Sequence, residues 1–273
     1  MKHAVLTLIM VVAACVSGVC GEPADSAAIR SFEALERRAA QGDENARFRV
    51  ARTLETGFGN VVKRDSLRAR RLLEQGVANG YAPAQNYLGF ILFNEQQPDS
   101  ALNLFMAAAD QGDITAYTNL GWLLLHDSGT VRDYDKALYW LRRGADKGSA
   151  AAMYLIYKGY RDGKFTEKPS DKMKYLRMAA DKNHAYAEYE LAMQTDKRMP
   201  NVKLSYLMRA AEHGCVAAEY EIGKLYYENG QTEQGLAHLE KAAGLDLWAR
   251  TQVGLFYCYT RDDWEHGMEL LTS

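Results

Sequence analysis

Small and aliphatic residues recur along the chain at a spacing much longer than one helical turn. Four residues after each of a series of alanines comes an aliphatic side chain, usually followed by a small one, as in Leu120-Gly121 and Ile222-Gly223. The mean step between these leading alanines is about 34 residues. They are Ala46, Ala84, Ala116, Ala152, Ala187, Ala218 and Ala249. No period-two pattern competes with this repeat, which therefore predicts an all-α fold of stacked helix pairs.

Turn signals separate the predicted helices. The segments Ala108-Ala109-Asp110-Gln111-Gly112 and Gly144-Ala145-Asp146-Lys147-Gly148 each end in a glycine, which suits the left-handed residue that closes a helix. Four prolines fall at predicted helix starts, where a missing N–H costs little: Pro83, Pro98, Pro169 and Pro200. These boundaries predict fifteen helices, the first near residues 25 to 41 and the last near residues 262 to 272. About seven stacked pairs would share one continuous core.

The first residues differ from the repeats. A short basic start precedes an apolar run from Ala4 to Ala14, which has the length of a secretion-signal core and is too short for a membrane span. We expect a signal peptide over residues 1–21 and a repeat domain over residues 22–273. Cleavage near Gly21 and lipid attachment at Cys15 are alternatives, because the residues ending at Cys15 resemble a bacterial lipobox. Either places the mature protein in the periplasm, at the outer membrane or outside the cell.

The composition indicates which classes of binding partner are expected. The chain is 48% hydrophobic and 25% charged, which is typical of a folded domain, and its formal net charge is -2. A global positive field that would attract nucleic acid or acidic lipid is therefore not expected, and a lipid anchor is the only expected membrane contact. Cys215 and Cys258 remain after signal removal. Their offset along equivalent helices is roughly 18 Å, too far for a disulfide, so we predict two buried or half-buried free thiols.

Two stretches closely resemble the Sel-one-like repeat, a relative of the tetratricopeptide repeat: residues 108–121 and residues 131–141. The resemblance covers almost everything after the signal, although Tyr157 and Ala192 stand where the family usually has glycine. It implies a right-handed α-solenoid of antiparallel helix pairs whose first helices line a concave groove. It also implies a non-catalytic scaffold or adaptor for protein complexes, often in bacterial envelopes.

An enzyme is the alternative, since some cysteine-rich secreted relatives are linked to penicillin binding and β-lactamase activity. This chain lacks their cysteine pairs, and it has neither a Ser-x-x-Lys nor a Lys-Thr-Gly motif. The five histidines after the expected signal peptide are scattered without a pair at ligand spacing on one helix: His126, His184, His213, His238 and His266. We predict no catalytic residue, no metal site and no cofactor, and we expect a protein or peptide partner.

The predicted binding face follows from helical spacing. With each leading alanine as position one, positions three, seven and ten fall on one face, which the resemblance places in the groove. The candidate partner-binding residues are Asn86, Phe90, Phe93, Thr118, Trp122, Leu125, Tyr154, Lys158, Tyr189, Tyr220 and Lys224. Because the first helices of repeats two and three are apolar all round, we expect Phe90, Phe93, Trp122 and Leu125 to form an exposed patch that binds an apolar segment. The alternative is that these four side chains pack on one another.

Overall fold

The computed structural model describes residues 24–59, 61–126, 131–167, 169–196 and 198–273. The expected signal peptide and the lipidation site at Cys15 lie outside these residues. The described part of the chain forms fifteen α-helices, which confirms the predicted number and fold class. Its extended pairing is a single isolated antiparallel bridge between Phe58 and Val62.

The helices alternate in role along the chain. Even-numbered helices are the first helices of the seven repeats, odd-numbered helices from α3 onward are the second helices, and α1 precedes the first repeat. Their bounds are α1 Ala24–Ala40, α2 Glu44–Thr56, α3 Ser66–Ala78, α4 Ala82–Asn94, α5 Pro98–Asp110, α6 Ile114–His126, α7 Tyr134–Asp146, α8 Ala150–Arg161, α9 Lys172–Asp181, α10 Ala185–Gln194, α11 Pro200–Glu212, α12 Val216–Glu228, α13 Thr232–Ala243, α14 Leu247–Thr260 and α15 Trp264–Thr272.

The chain divides into two compact units, with the boundary after Asp113. The first unit contains α1 to α5, and each of these helices contacts the next one. Its core consists of small and aliphatic side chains such as Val50, Leu73 and Leu88. The second unit contains α6 to α15, which also contact one another in sequence. Within it the first helices α6 and α8 touch directly, as do α12 and α14.

Local side chains set the helix ends. The carboxylates of Asp43, Asp133 and Asp246 accept hydrogen bonds from backbone N–H groups in the first turns of α2, α7 and α14, at 3.0, 3.0 and 2.8 Å. The Asp43 carboxylate has a lowered pKa because of the bond from Ala46 N–H and a further bond from Arg38. Each bond satisfies a donor that the helix itself leaves unpaired. Glycines with positive φ, such as Gly112 at 85°, close the preceding helices as predicted.

A close approach between the two helices of a repeat occurs at position six. A Cβ atom added at Gly121 would overlap the side chain of Leu141 on α7. The same addition at Gly223 or Gly254 would lie 2.7 Å from Leu239 or 2.9 Å from Leu271, which is too close for a real contact. Small residues at position six therefore let a leucine of the second helix pack directly on the backbone of the first.

The close contact within repeat four involves different positions. Position six holds Tyr157, whose side chain is fully buried and whose hydroxyl donates a hydrogen bond to Glu190 at 3.2 Å. A glycine occurs two residues later instead, and a Cβ atom at Gly159 would overlap the ring of Phe165. The departure from the family pattern at Tyr157 is thus accompanied by a shifted glycine and a different partner.

Cys215 and Cys258 are buried free thiols, as predicted from their positions. Cys215 directly precedes α12 and Cys258 lies in the last turns of α14, and both are buried, at 1% and 2% exposure. They are not bridged to each other. The fold of these repeats therefore depends on packing and not on a disulfide.

Buried carboxylates at position two link first and second helices in the second unit. Glu188 is fully buried and contacts Arg209 at 2.8 Å and His213 at 2.7 Å. Glu219 is 4% exposed and contacts His238 at 2.8 Å and also Lys241. Burial opposes ionisation of Glu219, but the hydrogen bonds from Lys241 and His238 outweigh it and lower the pKa of this carboxyl. The sequence analysis did not identify these pairs.

A third imidazole–carboxylate pair joins the last two second helices. His266 Nε2 lies 3.0 Å from Glu240 Oε1, and Glu269 Oε2 is 3.6 Å from the other ring nitrogen. The hydrogen bond to Glu240 raises the pKa of His266 against a smaller opposing effect of burial. The pKa of His126 is lowered instead. Burial is the largest cause, and the charges of Lys164 and Lys158 add to it, whereas a hydrogen bond to the Trp122 carbonyl acts in the raising direction.

We predict that Gly121→Ala destabilises the protein by ~1–3 kcal/mol, because its methyl group overpacks the contact with Leu141. The free energy of unfolding is measured by chemical denaturation. Gly244→Ala is the matched control, since a Cβ there has its nearest neighbour at an ordinary 3.6 Å. Equal stability of the two variants would contradict the assigned packing at position six.

The His266 pair gives a pH-dependent stability with a definite sign. A raised pKa means that the protonated ring stabilises the fold below its ordinary pKa and that this contribution is lost as pH rises through the raised value. Wild type should therefore exceed His266→Asn in unfolding free energy by a larger margin at about pH 5.5 than at about pH 8.5. For His126→Asn the change of margin should have the opposite sign, because the pKa of His126 is lowered.

Candidate partner-binding face

The face formed by positions three, seven and ten of each first helix is called the candidate face below. Position seven is the most exposed of the three. Large apolar side chains occupy it in four repeats, with exposed fractions of 49% for Phe90, 38% for Trp122, 44% for Met193 and 37% for Leu255. Cations occupy it in the other three repeats: Arg52, Lys158 and Lys224. An apolar or cationic side chain therefore occupies position seven in every repeat, exposed in five repeats and half-buried at Lys158 and Lys224.

In the first unit, aromatic rings and one arginine form this face. The guanidinium of Arg52 lies 5.9 Å from the ring centroid of Phe48 and 5.6 Å from that of Tyr87. Phe90 is exposed, whereas the predicted neighbours Asn86 and Phe93 are half-buried. Burial raises the pKa of Tyr87 against the opposing charge of Arg52, so this phenol stays protonated near neutral pH. The two exposed residues of the face in this unit are thus one aromatic ring, Phe90, and one cation, Arg52.

In the second unit, the expectation for Leu125 is wrong. Its side chain is only 2% exposed, although it shares the predicted face with Trp122. Two physical reasons account for this. Position ten lies about 40° from the buried position six and position seven about 100° from it, at 3.6 residues per turn. In addition, the chain after α8 reaches the end of α6, where Lys164 Nζ donates a hydrogen bond to the Leu125 carbonyl at 3.2 Å.

Trp122 keeps an accessible face. Its indole stacks on the ring of His126 with centroids 5.0 Å apart and planes 21° apart. Thr118, one turn earlier, is half-buried, and its hydroxyl shares a hydrogen bond of 2.9 Å with Ser149 at the start of α8. Of the four residues of the expected apolar patch, Phe90 and Phe93 belong to the first unit and Trp122 to the second. That these side chains form one continuous patch stays a prediction.

Further along the second unit, Tyr154 is the centre of an aromatic cluster. Its ring stacks on His184 at 4.6 Å and lies 6.3 Å from Tyr186. Burial raises the pKa of Tyr154 and lowers that of His184, so both rings are uncharged near neutral pH. Lys158 lies one turn after Tyr154 and is half-buried. The cluster therefore offers flat uncharged rings beside one ammonium group.

An ion-pair network borders this cluster. Arg161 donates to Glu190 at 2.6 Å and to Asp162 at 2.9 Å, and the Tyr157 hydroxyl accepts a bond of 2.9 Å from Gln194. These bonds hold α8 and α10 together and occupy the charge of Arg161. Arg161 is consequently less available to a partner than Lys158.

The last predicted residues lie on α10 and α12. Burial, with a further contribution from the Glu221 carboxylate, raises the pKa of Tyr189 to about 12. Tyr220 is also half-buried, and Lys224 Nζ lies 5.4 Å from its ring centroid. Both phenols are therefore hydrogen-bond donors near neutral pH, and Lys224 adds a second ammonium group to this unit's face.

Aromatic side chains cover position three in three repeats, and they were not predicted from the sequence. A ring at the start of the next first helix contacts the position-three ring in three repeats. The pairs are Tyr81 with Phe48 at 6.1 Å, His184 with Tyr154 at 4.6 Å and Trp248 with Tyr220 at 5.9 Å. The recurrence of aromatic residues at these helix starts is a sequence signal that would have indicated the covering.

The described residues contain no group of three or more His, Cys, Asp or Glu side chains placed to hold a metal ion. No helix among them combines the length and hydrophobicity of a membrane span.

The architecture defines a helical-repeat protein of the α-solenoid class, built from antiparallel helix pairs. The chain belongs to the Sel1 repeat family, whose repeat matches residues 45–81, 82–113, 114–149, 173–184 and 216–247. Repeats of this kind generally mediate protein–protein interactions, and the fold is typically a non-catalytic scaffold. No curated protein sequence matches the chain.

Solved structures share this fold at low sequence identity. A Sel1 repeat protein from Oxalobacter formigenes is 23% identical over 78% of this chain and 90% of its own, with a TM-score of 0.64. A protective antigen of uropathogenic Escherichia coli is 18% identical with a TM-score of 0.62, and the match covers 82% of this chain but only 51% of the antigen. Yeast Tom70 is 20% identical over 90% of this chain and 54% of its own, with a TM-score of 0.57. These likenesses concern the fold alone.

Proposed function

We propose that the protein is a non-catalytic scaffold or adaptor of the bacterial cell envelope or secreted space, which binds a partner protein through the candidate face. The observation that carries the proposal is the recurrence of an apolar or cationic side chain at position seven of every repeat, exposed in five repeats and half-buried in the two that hold lysine. Exposed apolar groups cost free energy in water, and a repeated row of them is a feature of interaction surfaces.

The residue types on this face support a protein partner. Trp, Tyr and Phe bring large contact areas at little cost in side-chain entropy, and they are enriched at interfaces. The half-buried ammonium of Lys158 adds charge beside the rings of the Tyr154 cluster. Such a surface suits a segment that carries both apolar and polar groups.

Export is the second part of the proposal. It rests on the apolar run from Ala4 to Ala14 and on the lipobox-like residues before Cys15. The candidate face would then meet partners in the periplasm, at the outer membrane or outside the cell.

The binding proposal predicts that Phe90→Glu and Trp122→Glu each reduce capture of a partner from a native envelope extract by about tenfold or more, because charge replaces an apolar anchor. Capture is quantified by mass spectrometry with immobilised mature protein. Circular dichroism verifies that both variants are folded.

The matched controls change apolar residues on second helices that are more exposed than Phe90 and Trp122. Leu67→Glu in the first unit starts from 64% exposure and Met208→Glu in the second from 51%. Both controls should capture the same proteins as wild type. Equal capture by Phe90→Glu, Trp122→Glu and wild type would contradict binding through position seven.

The export proposal predicts that the chain, expressed with its own leader in a Gram-negative bacterium, is recovered from the envelope fraction without its first residues. Intact-mass spectrometry distinguishes cleavage near Gly21 from a lipid on Cys15, and Cys15→Ala should abolish only the lipid form. An unprocessed chain that stays in the cytosol would refute export.

A further inference from the structure

A cleft of about 460 Å³ lies between the first helices of the last two repeats, on the candidate face of the second unit. One wall is α12, with Tyr220, Lys224, Tyr227 and Glu228. The other is α14, with Gln252, Leu255 and Phe256. The volume is in the range of natural ligand pockets, although no enclosing lid covers it.

The floor of the cleft is apolar and rigid. Phe256 is 7% exposed, and Tyr227 meets it edge-to-face with ring centroids 5.0 Å apart. Leu255 stands beside them and is 37% exposed. This arrangement leaves room for one apolar side chain to replace water against an already packed aromatic surface.

Three polar groups around this floor have no hydrogen-bond partner within the described part of the chain. They are the Gln252 carboxamide and the hydroxyls of Tyr220 and Tyr227. The buried Tyr257 differs, since its hydroxyl donates to Glu240 at 2.6 Å. A carboxamide carries both donors and an acceptor, so Gln252 can pair with the N–H and C=O of a peptide backbone.

Two opposite charges lie along the α12 wall. Lys224 has its nearest carboxylate oxygen, on Glu221, at 3.6 Å, which is beyond hydrogen-bond distance, so its ammonium donors are available to a second acceptor. Glu228 is exposed one turn further along the same helix. Four residues of α-helix rise by about 6 Å. Alternate side chains of an extended peptide, which point to the same side, repeat at roughly 6.7 Å.

We propose that this cleft binds an extended peptide segment in which an acidic and a basic residue flank one apolar residue. The acidic side chain pairs with Lys224 and the basic one with Glu228. The central side chain then points to the opposite wall, onto Leu255 and Phe256, and Gln252 bonds the backbone. Either chain direction satisfies this pattern, so both orders of the charges fit. The inference rests on the proposed function and specifies the chemistry of a partner for this part of the face.

The test uses the mature chain and a fluorescein-labelled peptide, Gly-Gly-Glu-Leu-Lys-Gly-Gly, with fluorescence anisotropy as the readout. Saturable binding is expected, and Lys224→Gln or Glu228→Gln should weaken it about fivefold to tenfold, because each removes a charge-assisted hydrogen bond. Gln252→Leu should also weaken it. Peptides with Gln-Leu-Gln or Glu-Gly-Lys at the centre should bind more weakly than the parent peptide.

Lys203→Gln is the matched control, because Lys203 is half-buried like Lys224 but lies on the second helix α11 and does not line the cleft, so its loss should not affect the peptide. Absence of saturable binding up to millimolar peptide would overturn the inference, and so would unchanged affinity in Lys224→Gln. If the peptide fails while partner capture still depends on Trp122, the cleft assignment is wrong and the scaffold function stands. If the peptide binds as expected but Phe90→Glu and Trp122→Glu capture the partner as wild type does, the cleft assignment stands. The proposal that the whole candidate face binds the partner is then wrong.

Discussion

The close contact at position six is the constraint on which the repeats depend. Where this position is glycine, a large apolar side chain of the second helix packs on the backbone of the first, a leucine at Gly121 and Gly223 and Phe105 at Gly89. Without a Cβ atom at this position, the two helices approach more closely than a side chain there would permit. The contact also fixes the rotation of the first helix, because only one orientation points position six at its partner.

That rotation determines which other positions are exposed. At about 100° per residue, positions two and ten lie about 40° on either side of position six, and position seven lies about 100° away. Glu188 and Glu219 at position two and Leu125 and Cys258 at position ten are accordingly buried. Position seven lies further round on that side and is exposed in five of the seven repeats. The exposed row of the candidate face is thus a geometric consequence of the packing contact.

The fold could be predicted because its signals are local. Aspartate caps, closing glycines and the leading alanines each act within a few residues of the boundary that they specify, so fifteen helices follow from the sequence. The site was predicted less well because exposure depends on residues distant in the chain. Lys164 reaches Leu125 from 39 positions away, and His184 stacks on Tyr154 from the next repeat. Neither contact has a spacing that one helix would reveal.

If the candidate face binds a partner as proposed, the alternation of side-chain type at position seven restricts the kind of partner that the second unit would hold. Trp122, Met193 and Leu255 are apolar, whereas Lys158 and Lys224 in the repeats between them carry charge. A purely apolar segment would bury these ammonium groups without a counter-ion, which costs more free energy than the apolar contacts recover. A purely acidic segment would leave the apolar side chains in water. A segment that alternates apolar and acidic groups satisfies both, and the cations then select against apolar partners that the exposed Trp, Met and Leu side chains would otherwise accept.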